Sequence, residues 1–191
     1  MTTIVFDGHY LAADTRGTLG FASAHKRQCP NCGLHIKHSH TELKKIHIPD
    51  KRLMFEGEVV IAMAGAGSSN MFNFMIYLVE THPEPNIAVK KFPATAHQEH
   101  ATLLILTEQN VYELTAGGRL IKHRELPVVI GTGALAARLA IKEGSNAMDA
   151  VRKAALVDPG TNNVIDFIKV VPSEHFIVER YMDDKDKPKT F

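Results

Sequence analysis

The stretch Thr2-Thr3-Ile4-Val5-Phe6-Asp7-Gly8-His9-Tyr10-Leu11-Ala12-Ala13-Asp14, directly after Met1, decides how the rest of the chain is read. Residues 2–6 and 9–13 carry β-branched and apolar side chains that suit a pleated, half-buried surface. Asp7-Gly8 between them is a tight-hairpin signal, because glycine takes positive φ with no Cβ to clash. The chain therefore opens on an antiparallel hairpin, which residues 12–20 then leave.

The same habit continues outward. Ile46 to Met54 and Glu58 to Met63 read as the halves of a second hairpin, with Phe55-Glu56-Gly57 turning between them. Ala64-Gly65-Ala66-Gly67-Ser68-Ser69 is a turn. It feeds a helix in which Met71, Phe74, Met75 and Leu78 share one face, Ser68 or Ser69 caps the start, and His82-Pro83 ends it. After a linker-like stretch from Pro83 to Pro93, Ala101–Leu106 and Val111–Thr115 are apolar strands. Val128-Val129-Ile130 is a short strand running into Gly131-Thr132-Gly133. Two alanine-rich helices follow, Ala134–Lys142 and Ala147–Leu156, the second behind a Ser145/Asn146 cap. Asp158-Pro159-Gly160-Thr161 breaks it, and Val164–Val171 with Phe176–Tyr181 close the chain as a strand pair. Strands paired as hairpins with helices set apart predict an α+β layered fold with antiparallel sheets.

Length and composition agree with one domain over residues 1–191. A chain of 191 residues buries a full core without disulfides. Lys plus Arg is 22 and Asp plus Glu 21, a net charge of +1, which argues against a charge-driven nucleic-acid or membrane binder. No run approaches the roughly 18 apolar residues of a membrane helix. The start shows neither a basic n-region nor a long apolar h-region, so a cytoplasmic chain is expected. Two interruptions stand out. Residues 21–43 are rich in Cys, His and Lys and read as an insertion, and 183–191 reads as a frayed charged tail.

Removal of Met1 would leave Thr2 with a free α-amine beside its hydroxyl. A hydroxyl is a weak nucleophile and needs a base, and an α-amine with a pKa of about 7.7–8.0 can serve as one at neutral pH. Further residues join it in order along the chain: Asp14-Thr15-Arg16-Gly17-Thr18-Leu19-Gly20 after the hairpin, Lys44-Lys45 before the second one, the Ala-Gly turn, Gly131-Thr132-Gly133 ahead of the alanine-rich helices, and Asp158-Pro159-Gly160-Thr161 behind them. Taken together this set resembles the N-terminal-threonine hydrolases, the family of proteasome β-subunits and the bacterial peptidase HslV, over nearly the whole chain outside 21–43.

The resemblance implies a four-layer αββα sandwich of the N-terminal-nucleophile type and hydrolysis of peptide bonds. It implies Thr2 as nucleophile, Asp14 and Lys45 as the carboxylate and lysine beside it, and Asp158 as a second carboxylate. Thr132 and Thr161 stand where the family usually has serine, either one able to hydrogen-bond the Thr2 amine. Thr18 matches a contact to the substrate backbone, and the oxyanion donor is expected among Met63-Ala64-Gly65. A homo-oligomeric ring fed by an ATP-dependent unfoldase also follows from the resemblance. A catalytically silent shell protein and a small-molecule amidase of the same fold are the alternatives, and a zinc-dependent binding module built on residues 21–43 is a further one.

Within the insertion, Cys29-Pro30-Asn31-Cys32-Gly33 resembles a zinc knuckle. Tetrahedral zinc needs two more ligands, and His38-Ser39-His40 in extended form would turn both imidazoles to one side, with His25 and His35 as alternatives. Such a metal would be structural, with no cofactor needed for catalysis. Metal analysis of the purified protein checks this: about one zinc per chain is expected, and its loss in Cys29→Ser.

Overall fold

The computed structural model describes residues 2–19, 39–82, 100–170 and 178–182, with 18–19, 39–42 and 178–182 given through their backbone. Strands β1 (Thr3–Phe6) and β2 (Tyr10–Asp14) form the opening hairpin, with Ile4 opposite Ala13 and Phe6 opposite Leu11. Asp7 fixes the turn. Its carboxylate accepts the N–H of His9 and Tyr10 on Oδ1 and of Ala147 on Oδ2, each at 2.8 Å.

Beyond the hairpin, β3 (Arg16–Leu19) pairs with β4 (Ser39–Glu42), so the last residues of the 21–43 segment are strand. Residues 20–38 and the 183–191 tail lie outside the described residues. β5 (Ile46–His47), β6 (Met54–Phe55) and β7 (Glu58–Gly67) replace the expected second hairpin. Its first half, read as continuous from Ile46 to Met54, is broken: Pro49 has no amide to give a ladder, and Asp50, Lys51 and Arg52 are exposed.

Helix α1 (Ser69–Thr81) follows, with Ser68 Oγ accepting the Met71 N–H at 3.4 Å as its cap. Then come β8 (Ala101–Thr107), β9 (Val111–Thr115), β10 (Leu120–His123) and β11 (Val128–Gly131). α2 (Ala134–Lys142) and α3 (Ala147–Ala155, capped by the Asn146 side chain) precede β12 (Ile165–Val170) and β13 (Val178–Met182).

The strands make two large antiparallel sheets. One runs β11-β1-β2-β12-β13, and the other β10-β9-β8-β7-β5 with β6 also on β7. Period-two alternation gives each sheet two apolar faces. Ile4, Leu11 and Ile168 from one sheet and Ile61, Ala64 and Leu104 from the other fill the space between them. Outside the second sheet, Met71, Met75 and Val79 of α1 pack on Met63, Leu103 and Ile105. Outside the first, Ala137, Ala140, Ala150, Val151 and Ala154 pack on Val5, Ala12 and Val129. Alanine on these helices lets two of them lie close over one short sheet. The result is the expected αββα sandwich.

At one end of it β11 and β1 meet so closely that Gly131 has no substitute. It sits at φ +98°, and a Cβ there would lie 2.0 Å from the Thr2 carbonyl oxygen. Gly131→Ala should therefore destabilise the fold by at least about 1 kcal/mol, measured as a fall in the urea midpoint.

Candidate active site

Two clusters flank the start of β1, the first buried and the second reaching the surface through Thr132. The first is Asp14 at the end of β2 and Lys45 just before β5, with 0% and 6% exposure. Lys45 Nζ donates to Asp14 Oδ1 at 2.9 Å. The same oxygen accepts the Thr3 N–H at 2.8 Å, and Asp14 Oδ2 accepts that of Arg16 at 3.0 Å. Lys45 is held through its backbone as well, its carbonyl accepting the Gly65 N–H at 3.1 Å. Burial lowers the Lys45 pKa from its ordinary 10.5, and the Asp14 charge and hydrogen bond oppose but do not cancel that pull.

The second cluster joins the loop after β11 to the loop after α3. Thr132 Oγ1 and Thr161 Oγ1 each donate to Asp158 Oδ2 at 2.7 Å, and Gly160 N–H donates to Oδ1 at 3.1 Å. Burial pushes the Asp158 carboxyl up, but hydrogen bonds from Thr132, Thr161 and Gly160 outweigh it and leave the pKa lowered. Its ionised form accepts only, so both threonine protons point to it. Thr132 Oγ1 then has a lone pair for the Thr2 nitrogen, which lies 3.3 Å away.

Thr161 serves a different partner. Its Oγ1 is 2.6 Å from Thr3 Oγ1, in place of a contact to the Thr2 nitrogen. Thr3 is thereby bonded to both clusters. Gly133 leaves room for its hydroxyl, since a Cβ there would lie 2.1 Å from Thr3 Oγ1. The loop after α3 is also tied to the residues that follow β2. Thr15 N–H donates to Asn162 Oδ1 and Asn162 Nδ2 to Thr15 Oγ1, at 3.1 and 3.2 Å, and Arg16 Nη1 donates to the Pro159 carbonyl at 2.7 Å.

Thr2 opens onto a cleft of about 620 Å³ lined with small residues, among them Ala66, Gly67, Ala116, Gly117 and Gly131. Of the expected oxyanion donors, neither Met63 nor Gly65 is among the residues that line it. Met63 is fully buried within β7 opposite His47 and Ile105, and the Gly65 N–H is taken by Lys45. Strand amides alternate in direction. The Gly67 N–H thus turns to the same edge as that of Gly65, past the point where β5 ends. Gly67 also takes φ +110° and comes so near the next strand that a Cβ would lie 1.9 Å from the His100 carbonyl oxygen.

Of the other expected residues, Thr18 lies in β3 opposite His40 of β4. Cys29, Cys32 and His38 lie outside the described residues. Among those that are described, no three His, Cys, Asp or Glu side chains converge as a metal site. Sequence reasoning missed Thr3, Arg16 and Gly67. For Thr3 the signal was available: a polar residue one position past Thr2 in a strand must face the opposite side.

Among solved structures the chain is similar to eukaryotic HslV from Trypanosoma brucei, with a TM-score of 0.59 and 16% identity over 87% of this chain and 96% of that one. It is also similar to Anbu from Hyphomicrobium sp. strain MC1, with a TM-score of 0.64 and 10% identity over 97% of this chain and 89% of that one. The Gly-1 mutant of that Anbu matches with the same figures. No protein-family model and no curated protein matches the sequence. At these identities the likeness establishes the fold alone, a sandwich like that of HslV and Anbu.

The lowered Asp158 pKa has a consequence for stability. Its contribution is fully present above the ordinary carboxyl value of 3.8 and is lost as pH falls through the lowered value. In Asp158→Asn this part of the acid-side loss should disappear, giving a flatter dependence of the urea midpoint on pH below about 4.

Proposed function

We propose that this chain is a threonine peptidase whose nucleophile is the Thr2 hydroxyl, exposed with its α-amine once Met1 is removed. The observation that carries the reading is the placing of the Thr2 nitrogen. It lies 3.3 Å from a hydroxyl that Asp158 holds as an acceptor, at the mouth of a cleft, and the residue next to it is bound to the Asp14–Lys45 pair. A free amine there can hold and release the proton that the hydroxyl must lose.

Thr2 Oγ attacks the peptide carbonyl as its proton passes to the amine. The resulting oxyanion takes a hydrogen bond from the Gly67 amide, the donor that this edge of β7 leaves beyond β5. Collapse breaks the C–N bond, the Thr2 ammonium protonates the leaving amine, and an acyl ester remains on Oγ. Water then attacks that ester with the amine as base and restores the hydroxyl. The Lys45 ammonium favours alkoxide character at Thr2, and Asp14 holds the lysine in place.

The same reading includes polypeptide substrates, a homo-oligomeric ring, an ATP-dependent unfoldase as partner, a cytoplasmic setting, and structural zinc at Cys29, Cys32, His38 and His40. Leu135 and Leu139 of α2 and Leu156 after α3 are 73%, 53% and 83% exposed, apolar surface that a neighbouring subunit would cover. No described helix is long and apolar enough to cross a membrane.

A peptide epoxyketone tests the nucleophile, since it closes a ring on both the hydroxyl and the amine of an N-terminal threonine. Intact mass should show a chain that lacks Met1 and carries one adduct at Thr2. A chain that loses Met1, assembles and cleaves peptides with no adduct would refute the assignment. A chain that keeps Met1 favours the silent shell protein.

A further inference from the structure

Thr3 is fully buried and does no chemistry in the sequence of steps above. Its amide nevertheless reaches Asp14 directly, and its hydroxyl reaches Asp158 through Thr161. We infer that Thr3 is a positioning residue for the Thr2 reaction: its amide and hydroxyl together set the spacing of the Asp14–Lys45 pair and the Asp158–Thr132 pair around the nucleophile. This rests on the reading of Thr2 as the nucleophile.

The direction of the hydrogen bonds is fixed by counting protons. Thr132 and Thr161 both lie 2.7 Å from Asp158 Oδ2, which as a carboxylate only accepts. Each hydroxyl has one proton, and both are committed there. At the 2.6 Å contact between Thr161 and Thr3, Thr161 must accept, so the Thr3 hydroxyl donates. On its other side the Thr3 N–H donates to Asp14 Oδ1, the oxygen that also takes Lys45.

A closed circuit results. It runs from Thr3 to Thr161, to Asp158, to Thr132 and to the Thr2 nitrogen, the peptide bond between Thr2 and Thr3 closes it, and the Asp14–Lys45 pair joins it at the Thr3 amide. A shift of the Thr161 oxygen moves Asp158, which moves the acceptor of the Thr2 nitrogen. The glycine at 133 belongs to the same device, because a side chain there would occupy the place of the Thr3 hydroxyl.

Thr3→Val keeps the branched shape and removes the donor, while Thr3→Ser keeps the donor. With protein that has lost Met1, the rate of epoxyketone adduct formation is measured against probe concentration and pH. In Thr3→Val the limiting rate should fall by about 10- to 100-fold, with the half-saturating probe concentration unchanged and the pH midpoint of labelling displaced. Thr3→Ser should stay within about threefold of the parent. Equal limiting rates for Thr3→Val and the parent overturn the inference. So does a Thr3→Ser protein as slow as Thr3→Val, since the methyl group and not the hydroxyl would then matter. Should the valine chain not fold, Thr3→Ala against Thr3→Ser makes the same comparison, and equal rates again overturn it. A parent chain that lacks Met1 and takes no adduct at all overturns the nucleophile reading itself, a result distinct from the others.

Discussion

The buried contact between Asp14 and Lys45 is the constraint on which the site depends. Asp14 ends a strand of one sheet and Lys45 leads into a strand of the other, so the pair is an ionic bridge between the two sheets at one end of the sandwich. The space between the sheets is otherwise filled by aliphatic side chains such as Ile4, Leu11 and Leu104. Placing two charges at the margin of that layer costs desolvation, which their attraction offsets only if the remaining hydrogen-bonding capacity is used. It is used here. Asp14 takes two backbone amides besides the lysine, and those amides belong to residues on either side of it, Thr3 and Arg16. The start of β1 is thus held against an anion whose own position is fixed from three directions.

The architecture around this bridge was legible wherever local chemistry and hydrophobic period agreed. Asp7-Gly8 between two apolar runs gave the hairpin, Ser68 and Asn146 gave helix starts, and the alanine-rich segments gave the two helices that lie over the first sheet. The break after His47 was not legible from the apolar pattern alone, because Ile48 and Leu53 continue it while Pro49 and three exposed charged residues interrupt the ladder. β10 was missed because Leu120-Ile121-Lys122-His123 is a partly exposed edge strand with no alternation to mark it. β3 and β4 pair across a segment whose composition speaks of an insertion, and pairing between distant residues leaves no local trace.

In the site itself, the residue types were legible and the register was not. Thr2, Asp14, Lys45 and Asp158 stand out by their order along the chain, and the structure gathers them around the start of β1. The oxyanion donor proposed here, Gly67, is harder to find for a physical reason. The amides of Met63, Gly65 and Gly67 share one edge of β7 because strand period is two. What separates them is where β5 stops, and β5 is two residues long. Thr161 joins Thr132 on Asp158, and its further partner is Thr3, not the Thr2 nitrogen. Alternation explains this too: Ile4 faces the other sheet and Val5 the helices, so Thr3 faces the helices and the loop after α3, while Thr2 faces the cleft.

The two ends of the sandwich show why one of them suits chemistry. At the far end, Glu58 accepts from Thr107, Asn110 and Tyr112, and Asp7 accepts three backbone amides. Those carboxylates are saturated by donors that keep their protons at neutral pH, so the arrangement is rigid and closed. At the Thr2 end the carboxylates are equally saturated, but their partners are of another kind. One is a lysine whose pKa burial has lowered, and another is a hydroxyl that leaves a lone pair toward a backbone nitrogen. The same demand that carboxylates drawn out of water be satisfied produces a structural pin in one place. In the other, on the function proposed here, it produces a chain of groups that can exchange protons with the Thr2 amine.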